Sequence, residues 1–263
     1  MRIAANGVRF SYDGVHPVVR SIDLAVAGGE LLALIGANGS GKSTLLRLIS
    51  GVLRPESGGV VLGETPIRDL STRQIAQRLA MVEQDRQIGF DFSVREMVAM
   101  GRTPHRGRFA RESDDDRDAI ERALAMADVE VLAGRSVHAI SGGEQQRVFL
   151  AMALAQETSA LLLDEPTTHL DLRHQVEFLS IVRESSKEGR TVLIAMHDLT
   201  MAAQVVDRIG LMSEGTLRIV ARPDAVLTPR NLAEAFGVDV HVGQDPASGA
   251  TYILPWIKTS DSA

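Results

Sequence analysis

The sequence predicts an α/β fold with a parallel-sheet core, an N-terminal antiparallel β subdomain and an inserted helical subdomain. Three observations predict it. Short apolar runs at residues 30–35, 79–82, 160–163 and 191–196 lack the polar alternation of a half-exposed strand, as expected for strands covered on both faces. The first run leads directly into a glycine-rich turn and a helix over residues 42–50. Residues 85–157 read as mostly helical and separate the second run from the third, which marks an insertion into the α/β core.

Each element has its own local signal. Val8, Phe10 and Tyr12, then Ile22, Leu24 and Val26, alternate with polar residues and read as two strands joined by the Asp13-Gly14 turn region. Gly58-Gly59 opens a short strand over 60–62. Ser71 and Gln74 have capping-box spacing before a short helix, and Ser93 and Glu96 repeat it before a helix to about Met100. Residues 102–111, with Pro104 and four arginines, read as a surface loop. Asp114, Asp115 and Asp116 follow Ser113, where acids suit the positive end of a helix dipole, and Ile120, Leu124 and Ala127 continue at helical spacing. Residues 209–212 and 217–220 flank Ser213-Glu214-Gly215 as a hairpin. A last helix runs from Thr228-Pro229 to Phe236, residues 238–242 and 251–254 pair as a ribbon, and the tail 259–263 frays. The expected division is a domain over 1–225, with its helical subdomain at about 85–157, and a small helix-and-ribbon extension over 226–263.

Composition narrows the class. A chain of 263 residues fits one large α/β domain, or one with a small appendage. No stretch approaches the roughly 18 apolar residues of a membrane-spanning helix, and residues 1–6 lack a signal peptide's apolar core. Any membrane role is therefore expected to come through a partner. Cysteine is absent, which excludes disulfides, thiol catalysis and cysteine–metal sites. A net charge of −6 disfavours general nucleic-acid binding. Only Lys42, Lys187 and Lys258 are lysine, and one of them sits in the glycine-rich turn.

That turn, Gly36-Ala37-Asn38-Gly39-Ser40-Gly41-Lys42-Ser43, fits the G-x-x-x-x-G-K-[ST] phosphate-loop pattern. Its glycines let backbone N–H groups turn inward around phosphate oxygens, and the following helix adds its dipole. Lys42 is expected to reach the β- and γ-phosphates, and Ser43 to ligate Mg²⁺. The apolar run at 160–163 ends in Asp164-Glu165. Ligands of open α/β sheets bind beyond the carboxyl ends of strands, so Asp164 is placed for the Mg²⁺ shell and Glu165 as general base for the attacking water. His197 ends the next apolar run and could hydrogen-bond a γ-phosphate or that water. His169 and His174 are five apart, which puts them on different sides of a helix and gives no metal-ligand spacing. Ser141-Gly142-Gly143-Glu144 is a further capping box. Its two glycines cost helix stability and expose backbone N–H groups at a helix start, an anion site.

In this order the motifs resemble the ATP-binding subunits of ATP-binding-cassette (ABC) transporters over residues 1–225. The resemblance implies the P-loop NTPase fold of an ABC-type nucleotide-binding domain. It implies that Tyr12 stacks on adenine and that Gly36, Asn38, Gly39, Ser40, Gly41, Lys42, Ser43 and Thr44 form the Walker A loop. Gln84 resembles the glutamine that senses the γ-phosphate and Mg²⁺ and touches the membrane partner. Ser141, Gly142 and Gly143 match the family signature, Asp164 and Glu165 the Walker B pair, Asp171 the D-loop and His197 the switch histidine. Glu83 stands where proline is frequent, and Glu144 where glutamine is frequent. The implied cofactors are ATP and Mg²⁺, the latter held by Ser43, Gln84 and Asp164. The implied partners are a second copy, head to tail, with each signature on the other copy's phosphate; integral membrane permease subunits; and, indirectly, an extracytoplasmic substrate-binding protein. The implied place is the cytoplasmic face of the membrane. The stretches from Val94-Arg95-Glu96 to His105 and from Pro166 to Gln175 are similar to ATPases importing ferric siderophores, haem and cobalamin. An iron-chelate importer is therefore expected, with a cobalamin importer as the alternative. A soluble cassette protein of DNA repair or translation fits less well, because long coiled-coil insertions and a second cassette are missing.

Overall fold

Alternation hidden inside the apolar runs decides which layer each side chain joins. The structure, a computed structural model, describes residues 1–84, 89–107, 110–247 and 249–255. The expected start of the insertion, part of the arginine-rich loop and the expected frayed tail lie outside the described residues.

Along the chain run β1 (Ile3–Ser11), β2 (Pro17–Val26), β3 (Leu31–Ile35), α1 (Lys42–Ile49), β4 (Ser57–Leu62), β5 (Thr65–Pro66), α2 (Thr72–Ala76) and β6 (Leu79–Val82). The inserted helices are α3 (Val94–Ala99), α4 (Asp114–Met126) and α5 (Gly142–Ala155). Then come β7 (Ala160–Asp164), α6 (Leu172–Lys187), β8 (Thr191–Ala195), α7 (Leu199–Val205), β9 (Arg208–Ser213) and β10 (Thr216–Ala221). The chain continues through α8 (Pro223–Val226), α9 (Pro229–Phe236), β11 (Val240–Gln244) and β12 (Thr251–Pro255).

The central sheet has the order β10-β9-β3-β8-β7-β6, parallel except for the β9-β10 hairpin. A second, antiparallel sheet has the order β2-β1-β4-β5. In β3, Leu31, Ala33 and Ile35 face one core while Leu32 and Leu34 face the other. In β7, Leu161 and Leu163 join the first core and Ala160 and Leu162 the second. One core holds the buried faces of α3, α4, α5 and α6. The other holds α1 and the antiparallel sheet. Both faces are therefore covered, which is why the sequence shows no polar alternation there. Each fully buried Leu or Ile contributes about 1.5–3 kcal/mol relative to an exposed one.

The expected elements form, and Ser71, Ser93, Ser113 and Ser141 all cap their helices with reciprocal bonds to the third helical residue. The insertion shares one continuous apolar core with the sheet, Ile120 and Leu124 of α4 clustering with Val148 and Leu150 of α5 and Leu161 of β7. The terminal ribbon forms as β11-β12, shifted by a residue or two from the expected pairing, and packs on α7 and α9.

The arginine-rich stretch departs from expectation. Arg102 is buried, not a surface residue. Its Nε donates to Asp116 Oδ1 at 2.9 Å, and its Nη1 to the Ala155 carbonyl at 2.8 Å and to Glu157 Oε2 at 2.7 Å. Asp116, expected as one of three acids at the helix start, is buried with it. Burial alone would raise the Asp116 carboxyl. The bonds it accepts from Arg102, Ser113 and Arg106 outweigh that and hold it well below the usual carboxylate range. A depressed carboxyl contributes stability above its unfolded pKa of about 3.9, and that stability is lost as pH falls through the folded value. Arg102→Ala leaves Asp116 and Glu157 short of their partner and should cost about 3–5 kcal/mol at pH 7, with a smaller deficit under acid conditions that protonate Asp116. Urea unfolding at the two pH values checks this; a loss below about 1 kcal/mol at pH 7 would show a dispensable ion pair.

Candidate nucleotide site

β3, β8 and β7 are neighbours, so their carboxyl ends bring three segments together. Beyond β3 lies the loop 36–41, beyond β8 lies His197, and beyond β7 lies Glu165. A cleft of about 600 Å³ opens there, lined among others by Asn38, Lys42, Ser43, Gln84, Glu165 and His197.

The loop is shaped by its neighbours. A Cβ on Gly36 would meet the Met212 carbonyl at 2.3 Å and Ser40 Oγ at 2.8 Å, so only glycine fits. Ser40 Oγ is buried and has no hydrogen-bond partner among the described residues, an orphaned polar group in this glycine-rich loop. Lys42 is buried, and its Nζ donates to the Gly36 carbonyl at 2.9 Å and the Ala37 carbonyl at 3.3 Å. The same Nζ lies 3.7 Å from Glu165 Oε1. His197 Nε2 stands 2.6 Å from that oxygen. Glu165 adopts a left-handed backbone, φ 48°, uncommon for a residue with a Cβ, and its N–H donates to the Ala195 carbonyl at 3.1 Å. The bond to the end of β8 thus holds Glu165 beside His197.

Ser43 Oγ donates to Asp164 Oδ1 at 2.9 Å. This hydroxyl–carboxylate pair is the hard-oxygen donor set that Mg²⁺ takes. Among the described residues no group of three or more His, Asp or Glu side chains could hold a metal. An ion here would take its remaining ligands from phosphates and water, as Mg²⁺ commonly does. Burial pushes the Asp164 carboxyl up, against the Ser43 hydrogen bond, and pushes the Lys42 amine down, against the attraction of Glu165 and Asp164.

Tyr12, Asp171 and the signature residues do not line this cleft, though Tyr12 reaches its edge through Thr44. Tyr12 is 60% exposed, packs edge-on against Phe10 at 4.9 Å and has its hydroxyl 3.3 Å from Thr44 Oγ1. Asp171 caps α6, accepting from the His174 N–H at 2.9 Å. Ser141 and Gly142 are exposed at the start of α5 and do not line the cleft. The two signature glycines differ. At Gly142 an added Cβ would meet no described atom within 4 Å, whereas at Gly143 it would strike the His174 ring at 2.7 Å.

Thr168 and His169 line the cleft without having been singled out for it. His169 is not helical: it takes φ 67° in the turn before α6. That turn geometry leaves no periodic trace, and the sequence signals His169 at the cleft only by its closeness to Glu165.

The sequence profile of the ABC transporter family matches residues 19–168, and the chain belongs to that family. It is 44% identical over 238 residues to the hemin import ATP-binding protein HmuV of Nocardia farcinica, covering 90% of this chain and 82% of that protein. It is 42% identical over 244 residues to the cobalamin import ATP-binding protein BtuD of Halobacterium salinarum, covering 92% of this chain. The match spans 59% of that longer relative. Among solved structures it superposes, with a TM-score of 0.85 and 27% identity, on one described as a metal-chelate type ABC transporter in an inward-facing conformation, covering 97% of this chain and 98% of that one.

A carboxyl raised by burial binds its proton in the folded state at pH values where the unfolded chain has lost it, so stability falls as pH rises through that window. Asp164→Asn removes this cost and can keep the Ser43 bond. In the nucleotide-free protein it should raise the melting temperature at pH 7, with the gain shrinking toward pH 4. Thermal melts at both pH values decide; a lower melting temperature at pH 7 would mean that the attraction to Lys42 exceeds the cost of burial.

Proposed function

We propose that this chain is the ATP-hydrolysing subunit of an importer that drives an iron chelate, a ferric siderophore or haem, through a membrane permease. The observation that carries the ATP-hydrolysing part of the reading is the convergence of Lys42 and His197 on one oxygen of Glu165 at the mouth of the glycine-rich loop; the hemin import relative supports the iron-chelate cargo. In this reading the loop amides and Lys42 hold the β- and γ-phosphates. Ser43, Asp164 and Gln84 would hold Mg²⁺, which neutralises phosphate charge when bound. Glu165 takes the proton of the attacking water as general base, and His197, against the same carboxylate, orients it and faces the γ-phosphate. Tyr12 offers an exposed ring face for adenine, and its contact with Thr44 keeps that face beside the loop.

Ser141, Gly142 and Gly143 act on a second copy's phosphate in this proposal, with Asp171 beside them at the junction. Two observations support it. The signature lies outside its own cleft, and no described neighbour within the chain demands glycine at 142. An exposed helix start with room beside it suits the approach of another molecule's anion. The functional unit is thus a homodimer with two shared sites, docked on permease subunits at the cytoplasmic face and served from outside by a substrate-binding protein. No described helix is long and apolar enough to cross a membrane, which is consistent with attachment through the permease. A cobalamin cargo is the second reading, favoured by the relative of that name.

Glu165→Gln should still bind MgATP while turnover falls about 10²–10⁴-fold, and ATP-bound dimers should accumulate in size-exclusion runs; near-normal turnover would remove Glu165 as the base. Lys42→Ala should abolish MgATP binding in calorimetry, and retained tight binding would overturn the loop assignment. The cargo is tested by cellular uptake of ⁵⁵Fe-siderophore, labelled haem and labelled cobalamin with Lys42→Ala as the transport-dead control: dependence of cobalamin alone would sink the iron reading.

A further inference from the structure

The first turns of α5 and α6 meet through two contacts one helical turn apart. In the upper contact the His174 ring lies against Gly143, so close that a Cβ there would sit 2.7 Å from the ring's Cγ and 2.8 Å from Cδ2. The ring's Nδ1 is 2.8 Å from Asp171 Oδ1, the same oxygen that accepts the His174 backbone N–H. In the lower contact Glu177 takes Nη1 of the buried Arg147 on one oxygen and Nε of Arg173, at 2.8 Å, on the other. His174 and Glu177 are three apart on α6, and Gly143 and Arg147 four apart on α5, so each pair shares a helix face. Glu177 and Arg147 tie the two helix bodies together. Closer to the exposed helix starts, His174 joins Gly143, next to Ser141-Gly142, to the Asp171 carboxylate.

We propose that His174 is a positioning residue that makes the signature helix start and the Asp171 turn move as one unit. The inference rests on the shared-site reading above and deepens it. Glycine at 143 then has a reason distinct from phosphate contact: it admits the ring that links the two segments. Without the ring, the start of α5 keeps its own cap and the ion pair below, so the helix survives but its exposed end loses its fixed relation to Asp171. His174 touches no reacting atom. Its effect falls on the site that its own signature completes, which in this reading is the phosphate loop of the other copy.

Mixed full-length chains test this direction of action. A Lys42→Ala chain mixed with a Ser141→Arg chain leaves one usable site, formed by the loop of the second and the signature of the first. With His174→Ala added to the Lys42→Ala chain, turnover at saturating MgATP should fall about fivefold, the weight of one net hydrogen bond. The same change in the Ser141→Arg chain falls where the signature is already disabled and should cost less than about twofold, within the scatter of such measurements. His174→Asn in the first chain should stay about as slow as His174→Ala, because its side-chain amide can keep a bond to Asp171 but puts no ring against Gly143; recovery of the rate with Asn would overturn the linking role of the ring, and thermal melts of each variant check that it is folded. Equal losses in either chain, or no loss in the first, would overturn the proposal while leaving the shared site standing. An inactive parent mixture of folded chains would instead remove the shared-site reading, and this proposal with it.

Discussion

Everything in the site follows from burying charge where three parallel strands end. Lys42 and Asp164 are almost wholly inaccessible, and Glu165 nearly so. Bare charges there would be costly, so each is tied to a neighbour: Lys42 to its own loop carbonyls, Asp164 to Ser43, Glu165 to His197. The ties cross between strands, and β8 is the strand between β3 and β7 that makes them short enough. The covered sheet with helices on both faces supplies the rigidity that holds these groups at hydrogen-bond distance.

The same logic explains why the insertion is attached as it is. A helical excursion on the sheet edge could have been a loosely held lobe. Instead α5 belongs to the core that covers the sheet, and Arg102 joins α4, the end of α5 and Glu157 through bonds to Asp116, the Ala155 carbonyl and Glu157. At the other end of α5, His174 and Glu177 of α6 engage its first turns. The exposed signature is therefore anchored at both ends of its helix. In the proposed dimer that makes it a firm surface to close on another copy's phosphate.

Much of this was legible in the chain. Capping boxes are contacts within four residues, so Ser71, Ser93 and Ser141 announced their helices correctly. The buried strands were recognisable because parallel strands covered on both faces must be apolar throughout. The phosphate loop and the Asp164-Glu165 strand end were legible because their chemistry requires particular residue types at fixed spacing. The helices α6 and α7 were not among the expected elements, and Arg102 is read as a loop residue because an arginine beside prolines and glycines is usually solvated. Its burial depends on Asp116 and Glu157, which lie fourteen and fifty-five residues away.

The sequence by itself determined the order of motifs, the family and the residue types that can do phosphate chemistry, since these are local patterns. Only the tertiary structure decided which groups meet. It placed His197 and Lys42 on the same Glu165 oxygen, set His169 at the cleft and packed His174 on Gly143. It also separated the two signature glycines, one held by a neighbouring ring and one facing open space. Such contacts join residues distant along the chain, and they depend on strand order and on positive φ angles, which leave no periodic trace in a sequence.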